Sequence, residues 1–126
     1  IRCEIERNTQ ISAASGKIDI GNRVYINRNG IIVSHETIKI GEGTTMGPNV
    51  VIYDHDHDFR GNKGFVSAPI IIGNNVWIGS NVIILKGVTI GDNSVIGAGC
   101  VITKDVPENV VVVNTTQQHI KEIKRG

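Results

Sequence analysis

Residues 72–102 read IGNNVWIGSNVIILKGVTIGDNSVIGAGCVI, and an isoleucine recurs at every sixth position of this stretch. Short polar segments containing Gly, Asn or Asp lie between these isoleucines. A unit of six residues is long enough for one short strand and one turn. Glycine follows the isoleucine in two units of every three, which indicates a full period of 18 residues with three strands per coil. The six isoleucines are Ile72, Ile78, Ile84, Ile90, Ile96 and Ile102.

The same step of six runs through the N-terminal half of the chain and resumes after a slip of two residues near residue 40. Twelve positions therefore share one predicted role, with an aliphatic side chain pointing inward. Side chains alternate along a strand, so residues two positions earlier should also point inward. The N-terminal repeat positions are Ile20, Ile26, Ile32, Ile40, Met46 and Ile52, and the second inward set includes Val76, Val82 and Val88.

The composition favours strands, because the chain has 22 Ile and 15 Val but only one Leu. Three hexads would close a triangular coil, and coils stacked about 4.8 Å apart would pair their strands in parallel. We therefore predict an all-β fold, a parallel β-helix of about five coils. Residues 1–17 are expected to form irregular first turns. Residues 117–126 are expected to form a short C-terminal helix, whose Ile120 and Ile123 would cover the open end.

Length and charge exclude several classes of protein. The 126 residues suit a single domain, and a net charge of +1 provides no basic field for wrapping nucleic acid. There is no apolar run of about 20 residues, and the N-terminus does not resemble a signal peptide. Cys3 and Cys100 are too few for a disulfide scaffold and are predicted to be thiols. The expectation is a cytoplasmic protein.

One segment, residues 53–69, breaks the period and reads YDHDHDFRGNKGFVSAP. Ile52 and Ile72 are twenty residues apart, which we interpret as one turn plus two residues. This excursion loop holds two histidines and three aspartates within five residues. The pattern is typical of a catalytic or ligand site, although a metal site and a solvated loop remain open at this point. His35 and His119 are predicted to be surface residues.

Residues 18–121 resemble the hexapeptide-repeat acyltransferases, which form left-handed β-helices. The resemblance is strongest to the maltose/galactoside O-acetyltransferases and the capsular or exopolysaccharide O-acetyltransferases, and residues 69–107 carry it most specifically. It implies acetyl-CoA as co-substrate and a saccharide hydroxyl as acceptor. It also implies direct transfer without an acyl-enzyme, no metal, and a homotrimer whose sites lie between two subunits.

The resemblance also assigns individual residues. His57, which follows the segment Gly47-Pro48-Asn49-Val50, would be the general base, since an imidazole titrating near neutrality can take a proton from a hydroxyl. Asp56 or Asp58 would orient its ring. The acceptor would be bound by Asn29 and Asp56, and the N–H near Ser80 would stabilise the oxyanion. The predicted acetyl-CoA residues are Trp77, Ser80, Ala98, Thr103, Lys104 and Lys121.

Two departures from the family pattern stand out. Residues 114–118 read NTTQQ and lack the Gly and Pro usual after Pro107 in the family, which bears on binding of the CoA nucleotide. The helical N-terminal cap of the maltose/galactoside enzymes is not found in these 126 residues, which favours the shorter capsular or exopolysaccharide type.

Three alternatives remain. A xenobiotic (antibiotic) O-acetyltransferase would share the histidine and the CoA groove but differ in its acceptor pocket. A γ-type carbonic anhydrase would use histidines on zinc, but it needs one on a later coil and none occurs between His57 and His119. A non-enzymatic solenoid would leave the excursion loop without a role.

Overall fold

The computed structural model describes residues 2–57 and 65–125, apart from the side chains of His57 and Phe65. Three parallel sheets form the sides of a triangular prism, and the chain visits them in turn. The first sheet contains β1 (Glu4–Ile5), β4 (Tyr25–Ile26), β7 (Thr45–Met46), β12 (Trp77–Ile78), β15 (Val95–Ile96) and β17 (Val111–Val112). The second contains β2 (Gln10–Ser12), β5 (Ile31–Val33), β8 (Val51–Tyr53), β13 (Ile83–Ile84) and β16 (Val101–Ile102). The third contains β3 (Lys17–Ile20), β6 (Thr37–Ile40), β11 (Ile70–Ile72) and β14 (Thr89–Ile90).

The strand register confirms the 18-residue period in the C-terminal half, where Ile72 pairs with Ile90 and Ile78 with Ile96. The predicted core is also confirmed. Eleven of the twelve repeat positions are at most 5% exposed, and Ile20, near the N-terminal end of the prism, is half-buried. The second inward set is at most 1% exposed. The prism interior is therefore one continuous aliphatic column.

The coils turn at three corners, which we call first (first to second sheet), second (second to third) and third (third to first). A left-handed backbone conformation recurs in the turns, and asparagine tolerates it better than other non-glycine residues. At the first corner Asn29, Asn49 and Asn81 have φ of 62°, 62° and 59°. The N–H of Asn49 donates to Arg28 O and that of Asn81 to Pro48 O, so these turns stack in register.

The excursion follows β8 and contains an antiparallel hairpin, β9 (His55–His57) with β10 (Phe65–Ser67). The interpretation of one turn plus two residues was wrong, because Ile72 pairs with Ile40 and not with Ile52. That coil takes 32 residues, whereas the preceding coil takes 20 and the following one 18. The insertion therefore adds 12 to 14 residues at the second corner. Asp58 lies outside the described residues.

Both ends of the chain differ from expectation. Residues 4–20 form a regular first coil, in which Ile5 pairs with Ile26. Its offset of 21 residues breaks the step of six and hid it from the sequence pattern. The predicted C-terminal helix was wrong, since residues 113–125 have no regular structure and Ile120 and Ile123 are 94% and 74% exposed. So short a segment gains too little from helix formation without packing partners.

Two further observations concern the described residues alone. Cys3 is exposed and Cys100 buried, and both are free thiols, as predicted. Residues 2–57 and 65–125 include no helix with the length and apolar character needed to span a membrane.

The two faces of β11 provide a test of the inward column. Ile72 is 1% exposed and inward, whereas its neighbour Ile71 is half-buried on the outer face. We expect Ile72→Ala to lower the free energy of unfolding by about 2–5 kcal/mol, because it leaves a cavity in a close-packed core. Ile71→Ala should cost about 1 kcal/mol or less. Denaturant unfolding measures both, and equal losses would contradict the assigned strand orientation.

Candidate functional site

A buried carboxylate marks the point where the hairpin leaves the second corner. Asp54 is fully buried, directly after β8. Its oxygens accept hydrogen bonds from the hydroxyl of Ser34 (2.8 Å) and from the backbone N–H groups of His35 (2.8 Å) and Glu36 (2.9 Å). The Nδ1 atom of His55 lies 3.3 Å from the same carboxylate. The carboxylate therefore joins the corner of one coil to the start of the next coil's hairpin.

Burial and hydrogen bonding have opposite effects on the pKa of Asp54. Burial alone would raise the pKa of Asp54, but hydrogen bonds from the His35 N–H, the Ser34 hydroxyl, the Glu36 N–H and His55 together hold that pKa below its ordinary value. Asp54 is therefore ionised throughout the neutral range. A buried anion of this kind is stable only because its donors compensate for lost hydration.

Two histidine rings pack beside this carboxylate. The rings of His35 and His55 meet edge to face with centroids 4.1 Å apart. The Nδ1 atom of His35 lies 2.7 Å from the hydroxyl of Ser15, one coil earlier. His35, predicted to be a surface residue, is thus half-buried in a polar cluster. The sequence contained a signal for this cluster, because Ser34 and Asp54 are polar residues one coil apart.

The base of the hairpin is attached to the coils on both sides. The Ala68 N–H donates to Asp54 O (3.0 Å), which closes the insertion. On the returning strand the Ser67 hydroxyl donates to Glu36 Oε1 (2.9 Å). On the outgoing strand Asp56 forms an ion pair with Lys86 of the following coil at 3.0 Å. The hairpin base is therefore held by contacts to the coils before and after it.

The predicted base, His57, ends β9 with its backbone paired to Phe65. Its side chain lies outside the described residues, as does the whole of Asp58. Asp56, predicted to contact the acceptor or orient the ring, is exposed and is paired with Lys86. Within the described part of the chain, no three His, Cys, Asp or Glu residues are grouped to hold a metal ion.

Part of the predicted acetyl-CoA site lies at the first corner. Ser80 and Ala98 stack there on successive coils, and Trp77 precedes them on the first sheet with 63% of its surface exposed. In contrast to the corner N–H of Glu42, which donates to an Asn74 side chain, the N–H groups of Ser80 and Ala98 have no acceptor among the described residues. Two backbone donors are therefore available to a ligand.

Glycine at two nearby positions keeps these donors accessible. A Cβ atom on Gly47 would lie 2.9 Å from the Ser80 nitrogen, and one on Gly79 would lie 2.7 Å from the Ala98 nitrogen. Such contacts are closer than van der Waals packing allows, so any larger residue would cover the N–H groups or displace the turn. Asn29 lies at this same corner on an earlier coil, exposed and with its N–H bonded to Arg7 O.

The remaining predicted cofactor residues lie elsewhere. Thr103 and Lys104 follow β16 at the second corner and line a cavity of about 250 Å³ with Val101, Val106 and other residues near the C-terminal end. Lys121 is exposed in the C-terminal segment without regular structure. Ala98 lies before β16 at the first corner and Thr103 directly after it at the second. One prism therefore presents these residues on two separate edges.

The second sheet lies between these two edges, and its outer face is apolar. Aligned strands place outward aliphatic or aromatic residues on each of four successive coils. Ile31 and Val101 are 39% and 54% exposed, and the others are half-buried. We call this surface the apolar face; it consists of Ile31, Val33, Val51, Tyr53, Ile83, Leu85 and Val101. The outer face of the third sheet, by contrast, carries Lys17, Asp19, Thr37, Lys39, Ile71 and Thr89.

The three-sided coil, its six-residue unit and its single inserted hairpin define a hexapeptide-repeat solenoid. Residues 69–104 match the family model described as bacterial transferase hexapeptide (six repeats). The chain is 49% identical over 110 residues to galactoside O-acetyltransferase of Escherichia coli (strain K12), covering 84% of this chain and 54% of that protein. It spans about half the length of the curated relatives it matches.

Two solved structures extend the comparison. A maltose O-acetyltransferase from Clostridium difficile 630 matches with TM-score 0.82 at 38% identity, over 98% of this chain and 68% of that one. A galactoside acetyltransferase in complex with coenzyme A matches with TM-score 0.74 at 41% identity, over 93% and 66%. The chain belongs to the hexapeptide-repeat acetyltransferase family. The match also confirms the predicted fold class, a left-handed parallel β-helix of about five coils.

The lowered pKa of Asp54 predicts acid sensitivity. A depressed folded-state pKa contributes stability above the unfolded value of about 3.9, and this contribution is lost as the pH falls through the folded value. We expect the unfolding free energy of the native protein to fall more steeply below about pH 4 than that of Asp54→Asn. Denaturant unfolding across a pH series measures the slopes. Asp19→Asn, at an exposed position, is the control and should keep the steeper slope.

Proposed function

We propose that this chain catalyses transfer of an acetyl group from acetyl-CoA to a hydroxyl of a saccharide. The observation that carries the proposal is the match over 93% of the chain to a galactoside acetyltransferase solved with coenzyme A. The uncapped N–H groups of Ser80 and Ala98 support it, because they offer donors to a bound acyl-CoA at the positions that the family resemblance assigns to that ligand. Use of acetyl-CoA also favours a location in the cytoplasm.

The proposed reaction is a direct transfer with His57 as general base. The imidazole of His57 takes the proton from the sugar hydroxyl while the oxygen attacks the carbonyl carbon of the thioester. A C–O bond forms, the tetrahedral intermediate collapses and the C–S bond breaks. The imidazolium then returns its proton to the departing thiolate, so that free CoA and an acetyl ester are released. Neither Cys3 nor Cys100 is required as a nucleophile.

The oxyanion of this intermediate needs a donor already in position, and we assign that role to the Ser80 N–H. Trp77, Thr103, Lys104 and Lys121 complete the proposed acetyl-CoA groove, with Lys104 near the nucleotide phosphates. The exposure of Trp77 is consistent with this role, because a large aromatic ring left in water gains stabilisation when a ligand covers it.

Asn29 and Asp56 are the proposed acceptor contacts. Asn29 also has a structural role, since its left-handed backbone closes the first-corner turn. The Asp56 carboxylate is exposed beside Lys86 and can accept a hydrogen bond from a sugar hydroxyl. A galactoside or maltose is the first acceptor to test, given the relatives at 49% and 38% identity.

We further propose that the enzyme is a homotrimer with each site between two copies. The proposed groups lie on the first and second corners of one prism, at opposite edges of the second sheet. Packing the apolar face of one copy against the next would bring unlike corners together and bury that face. The polar third sheet, which carries lysines and an aspartate, is then the solvent side.

Replacement of His57 by alanine should lower kcat for acetyl transfer to methyl β-galactoside or maltose by about 10²–10⁴-fold, because the hydroxyl loses its general base. Release of CoA thiol measures the rate, and calorimetry with acetyl-CoA should show unchanged binding. His119→Ala is the matched control, since that histidine lies in the C-terminal segment. Full activity of His57→Ala would overturn the proposed mechanism.

The assembly can be tested with two outward isoleucines that lie on different sheets. Ile83 belongs to the apolar face and Ile71 to the third sheet, and both are half-buried. We expect Ile83→Glu to convert the trimer to monomers, since it places a charge in a desolvated interface, whereas Ile71→Glu should remain trimeric. Sedimentation velocity distinguishes these states. Dissociation by Ile71→Glu instead would place the interface on the third sheet.

A further inference from the structure

The structure points to Asp54 as a positioning residue for the reaction, a role that rests on the proposed function of His57. We infer that its buried carboxylate sets the angle at which the hairpin leaves the β-helix and so aims His57 at the acceptor. Asp54 itself contacts no reacting atom in the proposed mechanism. It acts through the strand that carries the base.

The first argument is location. Asp54 lies three residues before His57, at the last position before the chain leaves the coil and enters β9. In an extended strand three residues span only about 10 Å, so a tilt at Asp54 moves His57 directly. The Asp54 carbonyl also accepts the Ala68 N–H, which fixes where the returning strand re-enters.

The second argument is chemistry. Asp54 is fully buried, and the other fully buried polar side chains of the described chain are neutral hydroxyls, those of Ser34, Thr44 and Ser94. Burial of an ion carries a desolvation penalty, so an apolar residue would serve core packing better. A carboxylate, however, can accept the N–H groups of His35 and Glu36 and the Ser34 hydroxyl at once. These hydrogen bonds fix the direction of the chain at Asp54, whereas an apolar contact would not.

The third argument is the set of secondary attachments. The Ser67 hydroxyl bonds to Glu36, whose own N–H is held by Asp54. Lys86 reaches Asp56 from the following coil. Both strands of the hairpin are therefore attached to the same corner, and Asp54 is the fully buried charged member of the network.

The principal test compares Asp54→Asn with Thr44→Val. The amide introduced by Asp54→Asn would present a donor toward N–H groups that need an acceptor, which disturbs the corner with little change in volume. Thr44 is equally buried and also bonds across coils, to Gly73 O and from the Val76 N–H, but it lies at the third corner. We expect kcat to fall about 10- to 100-fold in Asp54→Asn, with KM for acetyl-CoA within about twofold, and to stay unchanged in Thr44→Val.

A milder variant, Ser34→Ala, tests the same role if Asp54→Asn does not fold. Ser34→Ala removes one of the donors to Asp54 and leaves the charge in place. It should lower kcat severalfold while circular dichroism and thermal unfolding show a folded protein. If Asp54→Asn does not fold, the same comparison with Thr44→Val is made with Ser34→Ala. Normal kcat in a folded variant at either position would overturn the positioning role.

Two readouts separate positioning from general destabilisation. In a His57→Ala background Asp54→Asn should have no further effect on the residual rate, because there is no base left to aim. Amide hydrogen exchange should quicken at residues 55–57 and 65–67 in Asp54→Asn but not in Thr44→Val. An additive loss of rate or unchanged exchange would overturn the inference alone. Full activity of His57→Ala would overturn the proposed function and the inference together.

Discussion

The whole structure depends on each strand lying directly on the equivalent strand of the preceding coil. Backbone hydrogen bonds run from coil to coil, and the inward aliphatic side chains stack in the same direction. The registers on either side of the hairpin show how strict this requirement is, because Ile72 returns to its place above Ile40 after a long insertion. Side chains inside the prism therefore have little freedom to vary, and chemistry is confined to its corners and outer faces.

The distribution of functional groups follows from that restriction. The N–H donors of Ser80 and Ala98 lie at a corner, where glycine at 47 and 79 lets successive turns approach closely. The proposed base is carried by the only described element that leaves the prism, and a charged residue stabilises its point of departure. The two edges of the second sheet thus carry complementary halves of one proposed reaction, which explains why an apolar surface should lie between them.

Much of the fold was predictable from the periodicity of the sequence. The inward positions follow from the step of six, since only an aliphatic side chain can stack at each of them. The first coil was missed because its 21-residue offset differs from the period that identified the others. The C-terminal helix was wrong because a short amphipathic pattern has no partner to pack on. Asp54 was overlooked among neighbouring acidic residues, since burial depends on contacts with another coil that local sequence does not reveal.

The return of the chain to register after the hairpin has a consequence for engineering. An insertion that leaves the pairing of β6 with β11 and of β8 with β13 undisturbed behaves as an exchangeable cassette on a rigid frame. Cassettes from other solenoids could be grafted between Tyr53 and Ala68 if they preserve a carboxylate at position 54 to receive the corner's donors. Acceptor preference could then be altered by recombination of loops, while the aliphatic prism remains constant.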